Sequence, residues 1–190
     1  MSREPQRSTT ALAGGIRVRA VWGGSGEAAA VFALSEVGAA TTDLGMLAGP
    51  DPDALCRAEL RVETPSGPWA VRLASRVGGE PSAFAWDAAG QLVVAYGFLA
   101  YAFDARTGIL RWSLRSGTPI VAVVGSPRLG HVIVQSEIET FAVAADGEVV
   151  WRVAHSDVVT GAALVGGRLV LTGYAGDAAA LDPATGRASS

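Results

Sequence analysis

Short apolar runs separated by polar or glycine-containing turns make up most of the chain. Three runs are five or six residues long and rich in β-branched and aliphatic residues: Gln91–Tyr96, His131–Gln135 and Arg168–Thr172. Each follows another apolar segment, at Ser82–Trp86, Ile120–Val124 and Thr160–Leu164. Runs of this length between turn signals are typical of strands rather than helices. The pattern therefore predicts an all-β chain.

The strands recur with a fixed period. Gly108, Gly147 and Gly186 are 39 residues apart, and Trp112 and Trp151 each follow their glycine by four residues. A period of this length predicts repeated supersecondary units. Each unit contains four strands, A to D, with a tight C–D turn at the glycine and the tryptophan on strand D. Matched strand positions predict a core of Phe84, Leu92, Val94, Phe103, Val132, Val134, Val143, Val170 and Leu181.

The residue types of the C–D turn have a physical explanation. Asp104 and Asp182 can accept hydrogen bonds from backbone amides two or three residues further on. The glycine reaches a left-handed conformation that other residues reach only at a cost. The tryptophans then provide a large apolar surface that locks strand D against its neighbours. We therefore predict a structural docking set that consists of Asp104, Gly108, Trp112, Gly147, Trp151, Asp182 and Gly186.

Four units can be placed, at residues 16–74, 82–114, 119–153 and 159–187. Residues 1–15 are expected to be a flexible N-terminal segment and residues 188–190 a tail. In the degenerate first unit, Ile16–Trp22 is predicted as strand A and Ala29–Leu34 as strand B, and Trp69 follows the turn. An insertion from Gly38 to Cys56 is either a functional loop or a disordered flap.

The fourth unit stops where strand D should begin, which leaves three arrangements open. Arg7–Leu12 could pair with Gly176–Leu181 and close a four-bladed ring. Two chains could associate as half-rings, or the repeats could belong to a larger protein. Arg7–Leu12 offers little apolar surface, so we favour an incomplete array that forms a homodimer or is completed by a larger parent chain.

The segment Ala102-Phe-Asp-Ala-Arg-Thr-Gly-Ile-Leu-Arg-Trp112 resembles the tryptophan-docking motif of quinoprotein-like (PQQ-like) β-propellers. Residues 142–151 and 180–186 match it in part, and residues 61–69 match it loosely. The resemblance implies an all-β propeller of about four four-stranded antiparallel blades, which is either a small propeller or half of an eight-bladed one.

The family resembled includes both enzymes and scaffolds. Its dehydrogenases use pyrroloquinoline quinone with calcium, a vicinal cysteine disulfide and an asparagine-containing calcium site. Other members bind no cofactor, such as the scaffold lipoprotein of the outer-membrane barrel assembly machinery. This chain has one cysteine and no asparagine, so two of the enzyme elements cannot be built. We therefore expect a non-enzymatic scaffold without cofactor or metal that presents a rim or top surface to another protein.

Two alternatives remain open at this point. One is a degenerate or partial quinoprotein-like dehydrogenase domain. The other is a carbohydrate-binding propeller, for which Trp22 and Trp86 are the candidate binding surface because each is predicted to close a strand A near the rim. His155-Ser156-Asp157 resembles part of a catalytic triad, but adjacent residues of an extended chain point to opposite sides, so a polar connection is the better interpretation.

Composition excludes several partners. The net charge is −3, and all 15 basic residues are arginines without a basic run, which argues against nucleic acid. No apolar run approaches the roughly 18 residues of a membrane helix. A lone cysteine and an N-terminus without a secretion signal favour a cytoplasmic location. The arginine bias is typical of a GC-rich genome, and we expect a bacterial protein.

Overall fold

The structure is a computed structural model that describes residues 5–24, 41–44 and 56–189. In this part of the chain the strands form four successive sheets, here called blades 1 to 4. Blade 1 contains β1 (Gln6–Ala11), β2 (Arg17–Gly23), β3 (Thr41–Leu44), β4 (Cys56–Thr64) and β5 (Gly67–Ser75). Blade 2 contains β6 (Ser82–Trp86), β7 (Gln91–Tyr96), β8 (Leu99–Asp104) and β9 (Leu110–Arg115). Blade 3 contains β10 (Ile120–Val124), β11 (His131–Ser136), β12 (Glu139–Ala144) and β13 (Val149–Ala154). Blade 4 contains β14 (Val159–Val165), β15 (Arg168–Gly173) and β16 (Ala178–Leu181). The all-β prediction is confirmed.

Apolar layers between neighbouring blades hold the array together. On β7, Leu92 and Val94 pack against blade 1, whereas Val93 points to the opposite side and packs against blade 3. Successive residues of a strand point to opposite faces, so a blade with neighbours on both sides needs apolar residues at every position. This explains why β7 and β11 are buried along their whole length.

Blade 1 begins earlier than the sequence pattern predicts. The segment expected to be flexible, residues 1–15, contains β1, which pairs with β2 from Gln6↔Trp22 to Ala11↔Arg17. Ile16–Trp22 is therefore strand B of this blade, and its assignment as strand A was wrong. The sequence Gln-Arg-Ser-Thr-Thr-Ala is exposed at nearly every position, so backbone pairing rather than an apolar face holds β1. Alternation of hydrophobic residues could not reveal it.

The insertion between β2 and β4 is described only in part. Thr41–Leu44 forms β3, which pairs in parallel with β5 from Thr41↔Ala70 to Leu44↔Leu73, and Cys56 opens β4. The predicted strand at Ala29–Leu34 lies outside the described residues. Blade 1 thus has the order β1-β2-β4-β5-β3, with β3 added outside the D strand.

The C-terminal residues continue the fourth blade. Ala188 forms a bridge with Leu181, and the Ser189 amide donates to the carbonyl of Ala180 at 2.9 Å. Residues 188 and 189 therefore lie where strand D belongs, and describing them as a tail was wrong. Because β1 pairs with β2, the arrangement in which Arg7–Leu12 closes the ring against Gly176–Leu181 is also absent from this structure.

Candidate functional site

Each junction between blades contains a tryptophan from one blade against a glycine of the next. A Cβ atom built on Gly108 would lie 2.6 Å from the Trp69 ring. The same construction gives 2.7 Å between Gly147 and Trp112, and 2.6 Å between Gly186 and Trp151. All three glycines also have positive φ angles, of 72°, 92° and 71°. The turn glycine is thus required both by the backbone conformation and by the ring that lies on it.

A hydrogen bond to the next blade accompanies each ring. In the first junction the Trp69 indole Nε1 donates to the carbonyl of Ala105 at 3.1 Å. In the second, Gln91 links two groups: its Oε1 accepts from Trp112 Nε1 at 3.2 Å, and its Nε2 donates to the carbonyl of Ala145 at 2.7 Å. The bonds to Ala105 and Ala145 fix the turn of one blade to the strands of the previous blade, whereas the bond between Trp112 and Gln91 lies within blade 2.

In the third junction a histidine replaces that glutamine. His131 Nε2 lies 2.7 Å from the carbonyl of Pro183, and a carbonyl only accepts, so this nitrogen carries a proton. The His131 ring meets Trp151 edge to face, with 6.0 Å between ring centroids. Trp151 Nε1 is buried and has no hydrogen-bond partner within the described residues. This junction is therefore less completely bonded than the second.

Asp104 closes the turn of blade 2 in the manner predicted. Its Oδ1 accepts from the amides of Arg106 at 3.1 Å and Thr107 at 3.0 Å, and its Oδ2 accepts from Arg111 Nη2 at 2.6 Å. The hydrogen bond from Arg111, followed by those from Thr107 and Arg106, lowers the pKa of Asp104 to about 2. Asp182 makes a similar turn, accepting from the Ala184 amide at 2.8 Å. Both aspartates are thus explained by local structure.

The lowered pKa of Asp104 predicts a pH-dependent contribution to stability. The folded-state pKa lies below the ordinary value of 3.8, so the contribution is fully present above about pH 4 and is lost as the pH falls toward 2. Asp104→Asn keeps an acceptor oxygen but removes the charge. We expect this variant to be less stable than the wild type at pH 6 and equally stable near pH 2, as measured by urea unfolding. A difference that persists unchanged at pH 2 would contradict the role of the charge.

The two tryptophans proposed as a binding surface are buried. Trp22 is 8% exposed and lies on β2, with its ring in the layer between blades 1 and 2. Trp86 is 4% exposed and ends β6 in the layer between blades 2 and 3. Their prediction as rim residues was therefore wrong, because a residue at a strand end can still turn its ring into an inter-blade layer. The carbohydrate-binding alternative loses the aromatic surface on which it depended.

A different surface is exposed at one end of blades 3 and 4. It is formed by the turn between strands B and C of each blade and by the connection from strand D of blade 3 to strand A of blade 4. Three apolar side chains are exposed there: Ile138, Val158 and Tyr174, the last at 80%. Their loops are joined by backbone hydrogen bonds, from the His155 amide to the Ile138 carbonyl at 2.8 Å and from the Tyr174 amide to the Val158 carbonyl at 2.9 Å. We call Ile138, Val158 and Tyr174 the loop patch.

Acidic groups and a groove border the loop patch. The groove has a volume of about 250 Å³ and is lined by residues 154–159 together with residues of β15 and β16, including Leu171. Asp157 and Asp177 line it, and Glu137 precedes Ile138 in the B–C turn of blade 3. The Asp157 carboxylate accepts from the Val158 amide at 2.7 Å. The patch is thus apolar at its centre and negative at its border.

His155 lies beside this groove but does not form a catalytic triad. Its Nε2 is 2.7 Å from Thr140 Oγ1, and Thr140 donates its only hydroxyl proton to Gln135 Oε1 at 2.5 Å. His155 Nε2 must therefore donate to the threonine oxygen. Desolvation by burial lowers the pKa of His155 and so favours the neutral ring. The ring thus stabilises a buried polar network, whereas Asp157 bonds its neighbouring backbone.

The described residues contain neither a metal-binding cluster nor a membrane-spanning helix. Within residues 5–24, 41–44 and 56–189, no three His, Cys, Asp or Glu side chains are grouped so that they could hold a metal ion. No helix in these ranges is long and apolar enough to cross a membrane.

Only one residue of the loop patch, Tyr174, has a signal in the amino-acid sequence. The turn Gly173-Tyr-Ala-Gly176 places its one aromatic residue between two glycines, and such a turn has few neighbours that could bury a ring. This was the available signal for Tyr174. Ile138 and Val158 follow acidic residues in short connections and gave no comparable signal.

Comparison with solved structures shows similarity of fold at low sequence identity. BamB from Moraxella catarrhalis is 15% identical, with 66% of this chain and 39% of that chain covered and a TM-score of 0.48. The Pan2 WD40 domain of Neurospora crassa is 16% identical, with 72% and 45% covered and a TM-score of 0.49. HIRA residues 644–1017 are 12% identical, with 96% and 51% covered and a TM-score of 0.51. The chain thus spans between 39% and 51% of the length of these structures.

Family comparison gives a more specific result. No curated protein matches the chain. A family model described as outer membrane protein assembly factor BamB matches residues 61–189, which include the three C–D turns at Gly108, Gly147 and Gly186. This match confirms the resemblance to quinoprotein-like propellers. The chain belongs to the family of the outer membrane protein assembly factor BamB, and its sheets are β-propeller blades.

Proposed function

We propose that this protein is a non-enzymatic propeller scaffold that binds another protein through the loop patch. The observation that carries the proposal is that three exposed apolar side chains, Ile138, Val158 and Tyr174, stand on loops that backbone hydrogen bonds join to one another. Exposed apolar groups that cluster on one surface are typical of protein-interaction sites. Tyrosine is among the residue types that contribute most to binding at such surfaces.

Rigid positioning of the loop patch supports this proposal. The Val159 amide donates to the Glu137 carbonyl at 2.6 Å, which adds to the backbone bonds that join the Ile138, Val158 and Tyr174 loops. Behind them, Gln135 and Thr140 are fully buried and bonded to one another. A surface already held in its binding conformation loses little conformational entropy on association. Loops on a rigid β-scaffold are common binding elements for this reason.

The chemistry of the site indicates what kind of partner fits. The acidic side chains Glu137, Asp157 and Asp177 border an apolar centre. A protein segment with an apolar side chain flanked by arginine or lysine would complement both features. The family description as an assembly factor is in keeping with such a role.

Absence of enzymatic activity remains part of the proposal, supported by the single cysteine, Cys56, being buried. The cytoplasmic location stays a prediction.

Site-specific photo-crosslinking in the source cells tests the proposal. A photoreactive phenylalanine analogue at position 174 is expected to give a discrete adduct with another protein. The same analogue at position 109 serves as a control, because Ile109 is 60% exposed but lies in the C–D turn at the other end of blade 2. Adducts at both positions alike, or at position 109 alone, would contradict a binding site at the loop patch.

A further inference from the structure

Within the described residues, blade 1 carries a fifth strand that blades 2 and 3 do not have. This strand, β3, pairs in parallel with the outer edge of β5, the D strand of the blade. The pairing places Asp43 in register with Arg72 and Leu44 in register with Leu73. Leu44 packs against the apolar layer between blades 1 and 2. A D strand of this protein can therefore bind a further extended segment at its outer edge.

The D strand of blade 2 repeats the residue pattern that β3 covers in blade 1. Counted from the docking tryptophan, β5 has the sequence Trp69-Ala-Val-Arg72 and β9 has the sequence Trp112-Ser-Leu-Arg115. In both strands the tryptophan is followed by a small residue, an aliphatic residue and an arginine. In β13 the corresponding sequence is Trp151-Arg-Val-Ala154, which lacks the arginine at the last position. Blade 2 thus resembles blade 1 at this edge, whereas blade 3 does not.

The outer edge of β9 is exposed, and backbone groups point toward it. The Ser116 amide donates to the Phe98 carbonyl at 2.8 Å, and bonded and non-bonded pairs alternate along an antiparallel ladder. The amides and carbonyls of Ser113 and Arg115 therefore point away from β8, and both residues are exposed. In blade 1 the position of Ser113 is taken by Ala70, which is only 6% exposed.

Charge indicates what kind of segment fits this edge. Arg115 has no ion-pair partner within the described residues, whereas Arg111 on the same strand is paired with Asp104. An acidic residue in register with Arg115 would be stabilising, because opposite charges at neighbouring strand positions attract. Pairing of β9 with the β9 of a second copy would instead bring the arginines of both edges together, which is unfavourable.

We infer that the outer edge of β9 binds an extended segment of another protein by parallel strand addition, with an acidic residue in register with Arg115. In such complexes main-chain hydrogen bonds provide affinity, and alternating side chains provide specificity. The residue before the acidic one would lie beside Leu114, which packs against the apolar layer between blades 2 and 3, so an apolar side chain fits there. This edge belongs to blade 2 and the loop patch to blades 3 and 4, so the inference does not depend on the proposed function.

Fluorescence anisotropy with a labelled peptide tests the inference. The probe is a fluorescein-labelled peptide with the sequence of residues 39–46, which includes the Thr-Thr-Asp-Leu of β3. We expect the wild-type chain to bind it with a Kd on the order of 100 µM. Asp43→Lys in the peptide should raise the Kd about 10-fold, because it places two positive charges side by side. Arg115→Glu in the protein should reverse the preference, so that the lysine peptide binds more tightly.

Proline variants locate the binding site. Ser113→Pro removes one amide at the edge of β9, and the strand can stay paired with β8 because proline is tolerated where the amide of an edge strand faces solvent. This variant should abolish peptide binding. Ala154→Pro is the matched control: the bond from the His155 amide to the Ile138 carbonyl directs the Ala154 amide to the outer edge of β13 in the same way. It should leave the Kd unchanged.

Four results would overturn the inference. They are an anisotropy that does not rise up to about 1 mM protein, binding that survives both Ser113→Pro and Arg115→Glu, and an equal loss of binding in Ala154→Pro. The fourth is self-association of the wild type that Ser113→Pro abolishes, since this would assign the edge to a second copy. Arg115 is an exposed side chain, so its variant keeps the test decisive even if Ser113→Pro fails to fold.

Discussion

Replacing Gly108 with valine should lower the free energy of unfolding by about 2–6 kcal/mol. At φ = 72° a β-branched residue adopts a left-handed conformation, which costs about 1–3 kcal/mol. The new Cβ would also lie 2.6 Å from the Trp69 ring. Overpacking of this kind costs about 1–3 kcal/mol more, because the ring must move out of its layer.

Gly90→Val is the matched control for Gly108→Val. Gly90 also has a positive φ of 63°, but a Cβ at that position would meet no atom within 4 Å. Its substitution should therefore show the backbone cost alone, about 1–3 kcal/mol. Urea unfolding of both variants separates the two contributions. Equal losses of stability would mean that the contact between Trp69 and the Gly108 turn contributes nothing.

Trp112→Ala should destabilise the fold by about 3–5 kcal/mol, the usual effect of removing a buried aromatic side chain. Trp112 is buried between blades 2 and 3, and the Gly147 turn lies directly on its ring. The substitution also leaves Gln91 Oε1 without the indole donor. Trp112→Phe keeps an aromatic ring and loses that donor, so we expect a smaller effect. The measurement is the free energy of unfolding from urea denaturation.

Trp151→Ala provides the comparison within the same repeat. Trp151 is only half-buried, and its Nε1 has no hydrogen-bond partner among the residues the structure describes. Its removal should therefore be less destabilising than that of Trp112. If the Trp151 variant lost as much stability as the Trp112 variant, burial and the Gln91 hydrogen bond would not explain how much each tryptophan contributes to the free energy of unfolding.

Sequence periodicity was sufficient to place blades 2 and 3. Their strands carry apolar residues on both faces and end at glycine turns, so the strand limits and the positions of Trp112 and Trp151 followed directly. Seven of the nine residues predicted for the core are buried, and Phe84 and Val170 are only half-buried. Val170 has the residue type of a core position, but a single sequence could not show that it is only half-buried among the described blades.

Blade 1 was harder to predict because its chemistry differs from that of the repeats. Strand β1 is polar and exposed, and β2 alternates arginine with apolar residues, since one side of the blade is charged. Hydrophobic patterns therefore predicted too few strands for blade 1 and assigned β2 as strand A instead of strand B. The loop patch was missed for another reason: its three residues come from separate turns, and only the backbone hydrogen bonds between those turns bring them together.

The central claim is that this chain binds another protein through the loop patch. The most direct test is to purify the partner captured by photo-crosslinking at position 174 and to measure its binding. The Kd of the wild-type chain for that protein should rise about 10- to 100-fold in Tyr174→Ala, the range expected when an aromatic contact residue is removed. Ile109→Ala, which removes an exposed apolar side chain far from the loop patch, should leave the Kd unchanged. An unchanged Kd in Tyr174→Ala, with both variants folded, would contradict the account of this protein as a scaffold that binds through the loop patch.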